Sequence, residues 1–137
     1  MSDAEVLPAP PATLGGVVAN LEVEGAMKAS DFYQRAFGAE QVFHHPVDDQ
    51  GRTMHVHLHL NGSSLMLADA YPEEGHPHQP AQGYSLMLPV TDIEAAYERA
   101  VNAGAEAIMP PQKMFWGDTY GQLRDPFGVT WAMNQGA

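Results

Sequence analysis

The 137-residue chain has no cysteine. Disulfide staples, cysteine zinc sites and thiol nucleophiles are therefore excluded. Basic residues are scarce: six Lys and Arg stand against 17 Asp and Glu, a formal charge of −11. Such a surface repels phosphate backbones and anionic lipid, so neither nucleic acid nor a membrane is expected as a partner. No run approaches the ~20 apolar residues of a membrane-spanning helix. The start, Met1 to Gly16, begins with acids and lacks the basic opening and apolar block of a secretory signal. Cytoplasm is the expected location. Also missing are a Ser-His-Asp order, a phosphate-cradling glycine loop and a paired-carboxylate motif.

What is present suits one compact domain. Apolar residues make up 45% of the chain, including five Phe, five Tyr and two Trp, enough for a core. Residues 1–16 are rich in Pro, Ala and Gly and read as a flexible lead-in, leaving a single domain over 17–137. Val17 to Val23 is β-branched and apolar, a strand. Ala26 to Phe37 carries Met27, Phe32, Ala36 and Phe37 at helical spacing, and Gly38 suits the helix stop. Three short strands follow: Glu40 to His45, ended by Pro46; Thr53 to Leu60; and Ser64 to Ala68 after an Asn61-Gly62 turn. Residues 71–83 form a linker. The pattern then restarts with a strand at Tyr84 to Val90 and an N-cap at Thr91 or Asp92. A helix carrying Ile93, Ala96, Tyr97, Ala100 and Val101 is stopped by Gly104. Strands at Ala105 to Met109 (ended by Pro110-Pro111), Thr119 to Arg124 and Val129 to Asn134 complete it, the last two joined by an Asp125-to-Gly128 turn.

The order βαβββ thus occurs twice, as module one (17–70) and module two (84–134). Phe32 to Glu40 and Tyr97 to Glu106 are the clearest trace of the repeat. One helix on one small sheet cannot bury a core alone, so the halves must pair, within a chain or across a dimer.

The segment Asp31 to Glu40, DFYQRAFGAE, resembles the end of the first helix in the vicinal-oxygen-chelate (glyoxalase/bleomycin-resistance/dioxygenase) superfamily. Phe115 to Gly121 with Arg124 to Trp131 resembles the closing motif of its PhnB-like branch. The likeness spans about residues 17 to 134. It implies an α+β fold of two βαβββ modules, forming curved mixed sheets around a pocket. It also implies a homodimer. It does not fix a reaction, because the superfamily holds isomerases, dioxygenases, thiol transferases and non-catalytic drug-binding proteins. Where metal-dependent members place ligands, this sequence has about Val18, Ser85 and Ala132, with the fourth position near Ala68 or Asp69. Three of the four lack a usable donor, so no cofactor is expected.

His55-Val56-His57-Leu58-His59-Leu60 is the most unusual segment. Strand periodicity puts the histidines on one face and the apolar residues on the other, toward a helix. The histidines can be polar fillers of a wet cavity, general acids or bases, or metal ligands. A metal would need His55 and His57, neighbours ~7 Å apart along a strand, joined by a third group such as Asp69, His44 or His76. Phe115, Trp116 and Tyr120 are candidate pocket aromatics, or alternatively core or dimer contacts. Arg124 can pair with an acidic ligand or form an ordinary salt bridge, and Asp118 can cap a turn or orient Tyr120 or Arg124. His76 and His78 lie in the linker. The reading this favours is a metal-independent small-molecule binding protein, its ligand against His55, His57, His59, Trp116, Tyr120 and Arg124. The alternative is a lyase, isomerase or dioxygenase, metal-dependent or working through His55 or His57.

Overall fold

A computed structural model describes residues 10–137; the first nine residues of the expected lead-in lie outside it. The order is β1 (Ala19–Val23), α1 (Ala26–Phe37), β2 (Glu40–His44), β3 (Val56–Leu60), β4 (Ser63–Asp69), β5 (Leu86–Pro89), α2 (Ile93–Ala103), β6 (Glu106–Lys113), β7 (Thr119–Arg124) and β8 (Thr130–Gln135). The first sheet runs β1-β4-β3-β2 and the second β5-β8-β7-β6. In each, the first strand pairs in parallel with the last and the rest is antiparallel. Two βαβββ modules are therefore formed, in the α+β class.

Both helices follow from local chemistry. Gly25 precedes α1 with φ 100 and has no side chain to cap it. The cap comes from afar: Asp69 Oδ1 accepts from the Gly25 and Ala26 N–H groups at 2.7 and 3.0 Å. Those donors would otherwise be orphaned at the helix start, where the dipole also favours a carboxylate. Gly38 ends α1 at φ 76, which an L side chain rarely adopts, and its N–H returns to Gln34 O. Asp92 caps α2 by accepting from Ala95 N.

The core joins the modules through their helices. Val56, Leu58, Leu67, Phe32 and Tyr33 from module one are buried in one cluster with Ile93, Leu123, Trp131 and Met133 from module two. The indole of Trp131 on β8 packs on Tyr33 and Phe37 of α1, with ring centroids 5.3 and 4.6 Å apart. Asp125 fastens this junction. Its Oδ2 accepts from Tyr33 OH and from Trp131 Nε1, and its Oδ1 from the Phe127 and Val129 amides. Burial and the adjacent carboxylate push the Tyr33 phenol far above its ordinary range, so it stays protonated as the donor. The turn expected at Asp125 is therefore also the tie between modules.

One expectation is corrected. The strand at Ala105 does not stop at Pro110-Pro111: β6 runs on to Lys113. It is an edge strand with register irregularities between Ala107 and Gln112, and an edge tolerates residues that donate no hydrogen bond. Gly121 opposite makes room, since a Cβ there would lie 3.1 Å from Met109 O and 3.2 Å from Pro111 N. Within the lead-in, Leu14 exchanges two hydrogen bonds with Ser64 of β4.

Candidate functional site

The pleat of β3 divides its side chains as the alternation requires. Val56, Leu58 and Leu60 are buried on the helix side. The histidines share the opposite face with Met66 and Ser64, which stand across from His57 and His59 in the β3–β4 register. The row is longer than the sequence suggested. His45, just beyond β2, places its ring 5.1 Å from that of His55, followed by 6.2 Å from His55 to His57 and 5.1 Å from His57 to His59. Phe43 lies beside His45 and His55. His45 and Phe43 were missed because the 45–55 connection hid their alignment with β3. Extending the β2–β3 register by one residue, from His44 opposite Val56, would have found it.

His57 is the most buried of the row, 2% exposed, and its Nε2 lies 2.7 Å from Ser64 Oγ. Burial, and then the neighbouring His59, hold its pKa below the ordinary imidazole value. Burial, then His45 and His57, do the same for His55. Both are neutral at pH 7, with lone pairs and N–H groups available for hydrogen bonding. His59 Nε2 makes a longer 3.4 Å contact to Ala12 O.

Asp69 does not join the histidines. It follows Ala68 on β4, so it points to the helix side, where Oδ2 accepts from the Thr53 amide while Oδ1 caps α1. The metal alternative built on His55, His57 and Asp69 is thus not assembled. His44 turns its Nδ1 to the His45 carbonyl, and His76 pairs its backbone with Tyr71 in the linker. Among the described residues no group of three or more His, Asp or Glu converges as a metal site. At three of the positions that the resemblance implies for metal ligands stand Val18, Ser85 and Ala132, and the fourth falls near Ala68 or Asp69, whose carboxylate already accepts from the Gly25, Ala26 and Thr53 amides. A valine, a neutral hydroxyl and an alanine do not fit a divalent ion.

The module-two candidates lie elsewhere. Tyr120 and Gln122 share one face of the second sheet with Ala132, Asn134 and Met87. Tyr120 OH accepts from Gln122 Nε2. Trp116 is 51% exposed and packs edge-on against Phe115, itself 98% exposed. Asp118 accepts from Asn134 Nδ2 and Ala137 N, so it ties the β6–β7 turn to β8 rather than orienting Tyr120 or Arg124. Arg124 is in an exposed 3.4 Å ion pair with Glu106. Among the described residues no strand of the first sheet pairs with a strand of the second, and Asn61 Nδ2 donates to Pro89 O where the two come close. What lies between the sheets is a cleft of about 310 Å³, bordered by Ala19, Ser64 and Leu65 on one side and Met87, Leu88 and Trp131 on the other. Ser64 belongs both to this cleft and to the histidine face. A second hollow, of about 290 Å³, opens at the start of α1 beside Arg52, Glu24 and His78. Among the described residues no helix is long and apolar enough to cross a membrane.

Comparison with known proteins agrees with this geometry. The sequence profile of the Glyoxalase/Bleomycin resistance protein/Dioxygenase superfamily matches residues 18–133. An uncharacterized protein of Mycobacterium tuberculosis is 37% identical over 122 residues, covering 85% of this chain and 71% of its own. The crystal structure of protein PA1353 from Pseudomonas aeruginosa superposes with a TM-score of 0.70 at 29% identity, over 88% of this chain and 96% of that one. A PhnB protein from Bacillus cereus, described as a putative 3-demethylubiquinone-9 3-methyltransferase, gives 0.68 at 24% identity, over 88% and 99% of the two chains. The last likeness concerns the fold alone.

Proposed function

Since the chain belongs to the Glyoxalase/Bleomycin resistance protein/Dioxygenase superfamily, we propose that it is a metal-independent small-molecule binding protein acting as a homodimer. The observation that carries this reading is the chemistry of the first sheet. Three of the four implied metal positions carry no usable donor, while a row of imidazoles, flanked by Phe43 and Met66, lines one face of that sheet. Imidazoles beside aromatic and thioether groups suit a planar ligand with a few polar atoms.

The dimer supplies the other half of the pocket in this proposal. Trp116, Tyr120 and Met87 belong to the second module, and Trp116 and Met87 are 51% and 56% exposed. A second copy setting that face against the histidine row would enclose a ligand and cover the apolar side chains. Arg124, exposed beside Glu106, would stand at the rim. The acidic charge favours cationic ligands, and disfavours nucleic acid and anionic membranes as partners.

A thermal-shift screen of aromatic and cationic compounds in excess EDTA tests the reading. Compounds that raise the melting temperature with EDTA present, and lose the effect in His57→Ala, are expected. Stabilisation that requires an added metal ion would overturn it. One observation favours a second reading, a histidine-based isomerase or lyase: His57 is neutral at pH 7 and so can accept a proton. Its ring is engaged by Ser64, so that role would require the Ser64 contact to open.

A further inference from the structure

The lead-in segment crosses the face just described, and its contacts are of one kind. Leu14 N–H donates to Ser64 Oγ at 2.8 Å. Leu14 O accepts from Ser64 N–H at 2.9 Å. Ala12 O faces His59 Nε2 at 3.4 Å. Every bond reaches backbone of the segment, and the Ala12 and Thr13 residues are exposed. Ser64 also touches His57, so the bonds chain: Leu14 N–H donates to Ser64 Oγ, which also lies 2.7 Å from His57 Nε2. Two polar side chains of the face, the Ser64 hydroxyl and the His59 ring, together with the in-plane Ser64 amide, are thus spent on an intramolecular peptide.

We infer that residues Ala12–Leu14 are a built-in occupant of the histidine face, and that the ligand replacing them carries a secondary amide. This rests on the reading of that face as the ligand surface. A group offering a carbonyl and an N–H side by side can take over both Ser64 bonds, and a second carbonyl can meet His59. Losing the strap without replacement would forfeit both Leu14 bonds, so a purely apolar ligand cannot displace the strap efficiently. The strap lowers apparent affinity by the fraction of time it is bound.

The test uses the full chain and a capped peptide with the sequence of residues 10–16, Pro-Pro-Ala-Thr-Leu-Gly-Gly, as the probe. Leu14→Pro removes the N–H donated to Ser64 and loosens the strap. Peptide binding is followed by NMR at the Ser64 amide and the His57 and His59 rings. The expected result is binding to Leu14→Pro about tenfold tighter than to wild type, abolished when Ser64→Ala is added. Equal affinity for wild type and Leu14→Pro, or shifts elsewhere than Ser64 and the histidines, would overturn the inference. Should Leu14→Pro fail to fold, amide exchange in wild type decides. The Leu14 and Ser64 amides are expected to be roughly a hundredfold less protected than Leu58 and Leu67, through strap opening. Equal protection contradicts it. A compound from the EDTA screen that binds through His57 but leaves the Leu14 amide unmoved would keep the ligand face and sink the strap.

Discussion

Replacing Asp125 by Ala should be the most destabilising single change at the junction of the two modules. The carboxylate is 4% exposed and accepts from Tyr33 OH, Trp131 Nε1 and the Phe127 and Val129 amides. Hydrogen bonds to a charged group contribute about 1.5–3 kcal/mol each, but those sharing one acceptor are not additive. The change strands a buried phenol and a buried indole N–H, each costing about 1–3 kcal/mol. A loss of about 3–5 kcal/mol follows, at the high end for point mutations. At about 2.1 cal/mol/K per residue, the unfolding entropy of this chain is near 0.29 kcal/mol/K. The melting temperature should therefore fall by roughly 10–17 °C. Calorimetry on Asp125→Ala, Tyr33→Phe and the double variant gives the answer. In the Asp125→Ala background, Tyr33→Phe should cost little, because the hydroxyl no longer has its acceptor. A drop of only about 2 °C for Asp125→Ala, or additive effects in the double variant, would refute the claim that this carboxylate ties α1 to β8.

Further changes separate structural from ligand roles. Asp69→Ala should cost about 2–3 kcal/mol in denaturant unfolding, from the lost α1 cap and the lost Thr53 bond; a neutral result would reopen a ligand role for this carboxylate. Arg124→Ala should change stability by less than about 0.5 kcal/mol, since its ion pair is exposed, so any loss of ligand binding in that variant reports contact with ligand. Gly121→Ala should cost about 1–3 kcal/mol by forcing β6 away, read as a lower denaturation midpoint. The folded pKa values of His55 and His57 lie below the unfolded value near 6.5, so below that pH the unfolded chain binds more protons. Stability should be full above pH 6.5 and fall on acidification until the folded pKa values are passed. The double variant His55→Ala/His57→Ala should flatten that slope, and an unchanged slope would show that these rings do not cause it.

The fold was legible because its signals are local. Glycine stops at Gly38 and Gly104, the Asn61-Gly62 turn and the Asp125 turn bound segments whose periodicity is unambiguous, and the duplication repeats the message. The reach of β6 past Pro110-Pro111 was not legible, because tolerance of proline depends on which strand ends at a sheet edge. The site was partly legible. Alternation in 55–60 put three imidazoles on one face, but their extension to His45 depends on cross-strand register. Asp69 read as a possible ligand because spacing cannot say on which side of the pleat a strand-end carboxylate falls. Its partners, Gly25 and Thr53, are 44 and 16 residues away. The contacts of residues 12–14 were hidden by a composition that reads as loose, because their partners, Ser64 and His59, lie 50 and 47 residues on.

The most direct test of the central claim is elemental analysis of untagged protein after incubation with zinc, nickel, manganese or iron and dialysis, beside His57→Ala. The account predicts substoichiometric metal in both proteins. About one ion per chain in wild type, lost in the variant, would contradict it and make a metal-dependent enzyme the better reading.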